Sequence, residues 1–255
     1  MIFKTEISKI YFNLTTPIYK KKIANSNFYR LYNFHIRKCG GTSLNRVFTS
    51  SPDGNEENYF KIANSKEYRI KVNGLPMVGW NLKHIKRGSF WYAFSHHEFD
   101  KVFPLKKGTY TFTFLRDPAE RVVSHYNMLK DFEKEDSKHP AFELERKWLG
   151  DSFTDFINNI PRQHLQNQLF MFNKEFDTKK AFENLKKINF VGILGEDEEE
   201  FLKILKNDFD ISLDYKHLRK SKYNFIPNQS ENKILLKKLS EEYDFFNKTL
   251  TYLKK

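Results

Sequence analysis

The stretch from Tyr32 to Phe48, YNFHIRKCGGTSLNRVF, sets the tightest limits on how this chain can fold. A short apolar and aromatic run (Tyr32, Phe34, Ile36) leads into Arg37-Lys38-Cys39-Gly40-Gly41-Thr42-Ser43. An amphipathic run headed by Leu44, Val47 and Phe48 follows. The order is strand, glycine turn, helix. Two adjacent glycines let a backbone approach a ligand with no Cβ in the way. The N–H groups that open the next helix have no intrahelical acceptor, and an anion is favoured in front of them. Lys38 adds a full positive charge, and Thr42 and Ser43 add hydroxyl donors. These residues describe a phosphate cradle. It is not a Walker A loop, because G-x-x-x-x-G-K-[ST] is absent and the lysine comes before the glycines.

A second stretch, TYTFTFLRDPAERVVSHYNMLK at residues 109–130, belongs with the first. Tyr110, Phe112 and Phe114 alternate with Thr109, Thr111 and Thr113, which predicts a β-strand. Asp117 suits a helix cap and Pro118 the first helical turn. Val122, Val123, Tyr126 and Leu129 then recur at helical spacing. Arg116 falls just past the strand end, and Ser124 two turns into the helix.

On these residues the chain resembles the sulfotransferases that use 3′-phosphoadenosine 5′-phosphosulfate (PAPS). His35 to Ser43 is similar to their H-I-P-K-T-G-G-T-S loop. Phe114 to Pro118 with Glu120, Arg121, Ser124, His125 and Tyr126 is similar to their F-x-R-D-P-x-x-R-x-x-S-x-Y element. The likeness is greatest to carbohydrate sulfotransferases of the heparan 2-O-sulfotransferase type and their bacterial relatives, and it runs from Tyr32 to the C-terminus. It implies an α/β fold in one domain, with a central, mainly parallel sheet flanked by helices in a P-loop-like, nucleotide-binding arrangement. Residues 1–31 would be an N-terminal extension, and residues 59–80 a β-hairpin insertion, read at Asn73-Gly74 and suited to a flap on the substrate side.

The resemblance also implies roles. Arg37, Lys38, Cys39, Gly40, Gly41, Thr42 and Ser43 would cradle the 5′-phosphosulfate. Lys38 would steady the bridging oxygen as its bond to sulfur breaks. Arg116 and Ser124 would hold the 3′-phosphate. Phe90 to Phe94 reads as a buried strand with Ser95-His96-His97 at its end, where related enzymes carry Gly-His. Aligned so, His96 is the base that takes the acceptor's proton, and the departure at Ser95 leaves His97 as the alternative. Cys39 stands where the family loop has threonine and contributes its backbone. The segment 164–172 is similar to an N-L-Q-T-R-L pattern of bacterial members, but Gln168 occupies the arginine position and inherits no role. Phe190 to Glu196 matches an F-V-G-x-x-E region. Lys216, Arg219, Lys220 and Lys222 fall where the family approaches the nucleotide.

The remaining features set bounds. At 255 residues the chain is long enough for one α/β core. Its charge, 44 − 32 = +12, suits an anionic partner without choosing among nucleotide, acidic glycan, nucleic acid and membrane. The single cysteine excludes an internal disulfide. There is neither an apolar run long enough to span a membrane nor the apolar core of a signal peptide, which leads to a cytoplasmic expectation. The acidic run Glu196 to Glu200 suits a helix start better than a metal site. Residues 231–254 are expected to form one helix. The scheme requires PAPS as donor, a hydroxyl acceptor of carbohydrate type, no metal and no nucleic acid. The competing readings are a P-loop kinase or nucleotide-binding protein, which the missing Walker lysine disfavours, and a non-catalytic basic protein that binds polyanions.

Overall fold

The computed structural model describes residues 27–213 and 222–254. Six strands form one sheet in the order β2-β3-β4-β1-β5-β6. They are β1 (Arg30–Phe34), β2 (Arg69–Val72), β3 (Leu75–Gly79), β4 (Tyr92–Ser95), β5 (Thr109–Leu115) and β6 (Phe190–Ile193). All pairings are parallel except the β2–β3 hairpin. The helices are α1 (Gly41–Ser50), α2 (Asn58–Asn64), α3 (Leu82–Arg87), α4 (Phe99–Val102), α5 (Pro118–Lys134), α6 (Pro140–Glu145) and α7 (Phe153–Asn159). They continue as α8 (Arg162–Leu165), α9 (Asn167–Phe172), α10 (Thr178–Leu185), α11 (Glu198–Phe209), α12 (Gln229–Lys238) and α13 (Ser240–Leu253).

The sheet is apolar on both faces, as a parallel sheet covered on both sides must be. In β1, Tyr32 and Phe34 face a layer that includes Leu169, Phe172, Ala181, Leu185 and Phe245. Leu31 faces the other layer, with Leu44, Phe48, Phe112, Phe201 and Leu205. The threonines of β5 are buried too, and their hydroxyls find acceptors. Thr113 donates to the Phe34 carbonyl at 2.8 Å, and Thr111 to Asn189 Oδ1 at 2.9 Å. A third cluster, with Val122, Phe153, Phe156, Leu235 and Leu239, lies among α5, α7 and α12.

Three expectations change. β1 starts at Arg30, inside the segment read as an extension. The 59–80 segment does contain a hairpin at Asn73-Gly74, but its first residues belong to α2, and the hairpin is no flap. β3 pairs in parallel with β4, through Met77↔Tyr92 and Val78↔Ala93, so the hairpin is the edge of the sheet. The C-terminal stretch is two helices, not one, and the break falls at Leu239. Leu235 and Leu239 pack into the third cluster, whereas Phe245 and Phe246 pack under the sheet. One straight helix could not serve both. Lys216, Arg219 and Lys220 lie outside the described residues, as do residues 1–26; Lys222 is exposed and pairs with Glu135 at 2.9 Å. Among the described residues no helix is long and apolar enough to cross a membrane.

Candidate active site

The chain leaves β1, builds the β2–β3 edge, returns to lay β4 beside β1, and then crosses to β5 on the other side. β1 is thus flanked by strands added in opposite directions, the switch point where open α/β sheets bind ligands at their carboxyl ends. The loop after β1, the residues after β4 and Arg116 after β5 all emerge at that end.

The loop is shaped by two residues with left-handed backbone, Lys38 (φ 67°) and Gly40 (φ 74°). Glycine takes that conformation freely, whereas at lysine it is strained. Gly41 is required by packing, because a Cβ there would lie 1.9 Å from Cδ2 of His35. α1 begins at Gly41 with no side-chain cap. The N–H groups of Gly40, Gly41 and Thr42 donate to no other described residue. Ser43 N–H turns back to the Gly40 carbonyl at 3.0 Å. Uncapped N–H groups at the mouth of a ten-residue helix, beside Lys38, are what an anion needs.

The histidines are sorted by their hydrogen bonds. His96 donates Nδ1–H to the His35 carbonyl at 2.6 Å, which leaves Nε2 as the basic nitrogen, without a partner among the described residues. His97 instead donates Nε2–H to the Trp80 carbonyl at 2.8 Å, and its N–H goes to the Ser95 hydroxyl. Ser95, the departure from the family pattern, is buried and also bonds the Tyr32 hydroxyl at 2.7 Å. His96 is exposed. Protein packed around it, and then the charge of Arg37, hold its pKa down to about 4. His35 lies beneath it, ring to ring at 4.3 Å, and accepts from Asn45 Nδ2 at 3.1 Å. Burial and the neighbouring positive charges keep His35 neutral.

Arg37 departs from the rest of its loop. Both arms of its guanidinium bond the Glu145 carboxylate, one of them at 2.8 Å, and its N–H donates to Asn167 Oδ1 at 3.3 Å. The side chain expected to join the cradle therefore points at α6. Glu145 also accepts from His125 Nε2 at 2.7 Å. Burial works against its charge, but hydrogen bonds from His125 and Arg37 outweigh that and hold the carboxyl down to about 2. Burial holds His125 down to about 3.

These depressed values fix the sign of a pH effect. Unfolded histidine titrates near about 6.5, and the folded groups only far below, so the unfolded chain binds more protons in between. Stability should be full above neutrality and fall as pH drops below about 6.5, through the folded values. Thermal unfolding followed from pH 8 to about 4 would show this decline, and His125→Gln, which keeps a donor toward Glu145, should flatten part of it.

On the β5 side, Asp117 caps α5 by accepting from Glu120 N–H at 3.0 Å, with Pro118 in the first turn, as the sequence predicts. Arg116 Nε rests on Glu120 at 3.2 Å, a half-exposed contact that an incoming anion can replace. Ser124, one turn beyond Glu120, has a partly exposed hydroxyl with no partner among the described residues. Cys39 is buried, and burial pushes its thiol up to about 12, so it is no nucleophile. Among the described residues no group of three or more His, Cys, Asp or Glu could hold a metal.

A family model described as "Sulfotransferase family" matches residues 22–247. The chain belongs to the sulfotransferase family. A comparison with curated proteins found no match. The matched region of this sulfotransferase spans both loops, the end of β4 and the first part of α13, and the family's chemistry is sulfuryl transfer from a donor to an acceptor.

The structure brings the β1 loop, Arg116 and the two candidate histidines to the carboxyl end of the sheet, with Ser124 farther along α5. Sequence reasoning missed the buried partners that hold them. Glu145 lies in a charged stretch where nothing separates it from surface acids. Asn45 joins Asn33, His35 and Tyr92 under the loop, and is legible only as a polar residue on a helix face that is otherwise apolar.

Proposed function

We propose that this sulfotransferase takes its sulfuryl group from PAPS and delivers it to a hydroxyl of a carbohydrate or glycan. The observation that carries the reading is the pairing of two anion-binding sets at adjacent strand ends. One is the uncapped N–H groups of Gly40, Gly41 and Thr42 with Lys38, and the other is Arg116 with the Ser124 hydroxyl, which has no partner among the described residues. A nucleotide phosphorylated at both 5′ and 3′ positions presents two anions to two such sets. When bound, PAPS supplies a sulfuryl group whose bond to the 5′-phosphate breaks as the acceptor oxygen attacks sulfur.

The chain's part is positional and electrostatic. Lys38 and the N–H groups of Gly40, Gly41 and Thr42 bind the 5′ end, and Lys38 neutralises charge on the departing phosphate oxygen. Cys39 lends only backbone. Arg37, held by Glu145, borders the cradle on the side of His96. His96 Nε2 takes the acceptor's proton, with Nδ1–H fixed on the His35 carbonyl so that the ring presents the right nitrogen. A carbohydrate acceptor of the 2-O-sulfotransferase kind fits the family resemblance and the net charge of +12.

Calorimetric titration with the product nucleotide, 3′-phosphoadenosine 5′-phosphate, tests the donor. Wild type should bind it well above ATP, and Arg116→Ala should weaken it by about tenfold to a hundredfold, the value of a charge-assisted contact. Equal affinity for ATP, or an unchanged Arg116→Ala, would overturn the assignment.

A further inference from the structure

We propose that Gln168, on α9, is a positioning residue that locks the two anion-binding loops together; this rests on the reading of the site just given. Its side chain is fully buried. Its Oε1 accepts from the Arg116 N–H at 2.8 Å, and its Nε2 donates to the Arg116 carbonyl at 2.9 Å. The same Oε1 lies 3.6 Å from the Cys39 thiol, in the middle of the β1 loop. Its own N–H is fixed at 2.6 Å by the buried Glu242 carboxylate.

The backbone around Arg116 explains why an amide is needed. Leu115 is the last residue of β5, and its carbonyl is taken by Leu194 N–H at 2.8 Å. β1 and β5 pair only as far as Asn33↔Phe112, after which the β1 loop curls away. Arg116 is left with one backbone donor and one acceptor and no strand to meet them. A primary amide offers one of each, side by side, and so stands in for the missing strand. Glutamate could only accept, and arginine, the residue of the similar family pattern, could only donate. The substitution thus changes the function of the position here. It fixes where the Arg116 side chain starts and how far it stands from Lys38 to Ser43, the spacing a doubly phosphorylated nucleotide must match.

The test uses Gln168→Met and Gln168→Glu in the full chain, titrated with 3′-phosphoadenosine 5′-phosphate from about pH 8 to pH 6. Each is compared with wild type at the same pH, and amide exchange is followed over residues 114–118. Gln168→Met should keep the fold, bind about tenfold more weakly and exchange faster at Arg116, because the competent spacing is then only partly populated. Gln168→Glu should be equally weak at pH 8 and approach wild type as pH falls, because a protonated carboxyl regains an O–H donor for the Arg116 carbonyl. A residue that only fills space would give no such pH-dependent rescue. Wild-type affinity in Gln168→Met, or a pH-independent ratio for Gln168→Glu, overturns the lock. Failure of wild type to bind the nucleotide overturns the donor reading and the lock with it, and is read from the first titration alone.

Discussion

His96→Asn should lower the sulfuryl-transfer rate by a factor of about 10²–10⁴ while leaving affinity for the product nucleotide nearly unchanged. Asparagine can still donate to the His35 carbonyl, so the local backbone keeps its tie, but it offers no nitrogen to accept the acceptor's proton. The corresponding change at His97 should cost far less, because the Nε2 of that ring is occupied by the Trp80 carbonyl. The pH profile separates the two further. His96 is held below the ordinary histidine range, so the acid limb of wild-type activity should lie below about 6.5. An acid limb that survives unchanged in His96→Asn would show that another group is the base. Rates measured for His96→Asn and His97→Asn side by side, with any hydroxyl acceptor that supports turnover, decide the point. Loss of turnover in His97→Asn alone would reverse the assignment.

Arg121→Leu should cost about 3–5 kcal/mol of stability, the largest effect expected of any single change away from the cradle. Arg121 and Glu242 are both fully buried, 3.6 Å apart. Arg121 also donates to the His164 and Leu165 carbonyls, and Glu242 accepts from the N–H groups of Gln168 and Leu169. The pair therefore ties α5 and α13 to the segment that carries Gln168. Burial pushes the Glu242 carboxyl upward, and Arg121 is the first of the forces opposing that push. Removing the guanidinium strands the carboxyl in an apolar interior. Arg121→Leu combined with Glu242→Gln removes both charges and keeps an acceptor for the two N–H groups, so it should recover much of the loss. Denaturant unfolding of the two single variants and the double variant measures the coupling. A double variant no more stable than Arg121→Leu would mean that the arginine acts through packing alone.

What could be read from the sequence was local. The strand, glycine turn and helix around Gly40-Gly41, and the strand closed by Arg116-Asp117-Pro118, are written in alternation, caps and turn residues within a few positions of one another. The sequence could not show which polar side chains meet across the fold. Gln168 touches Arg116 from 52 residues away and Glu145 touches Arg37 from 108, and neither carries a local signature. The break at Leu239 was hidden for the same kind of reason. The apolar spacing of residues 231–254 suits a helix throughout, and only the positions of two separate cores divide it. The direction of Arg37 was equally hidden, because it is set by a carboxylate on α6.

The most direct measurement is a crystal structure of the wild-type protein with 3′-phosphoadenosine 5′-phosphate at saturation. The account predicts the 5′-phosphate on the N–H groups of Gly40, Gly41 and Thr42 with Lys38 beside it. It predicts the 3′-phosphate on Arg116 and the Ser124 hydroxyl, and His96 Nε2 facing the space next to the 5′-phosphate. A nucleotide bound with its 3′-phosphate away from Arg116, or density at the loop for inorganic anion alone, would contradict it.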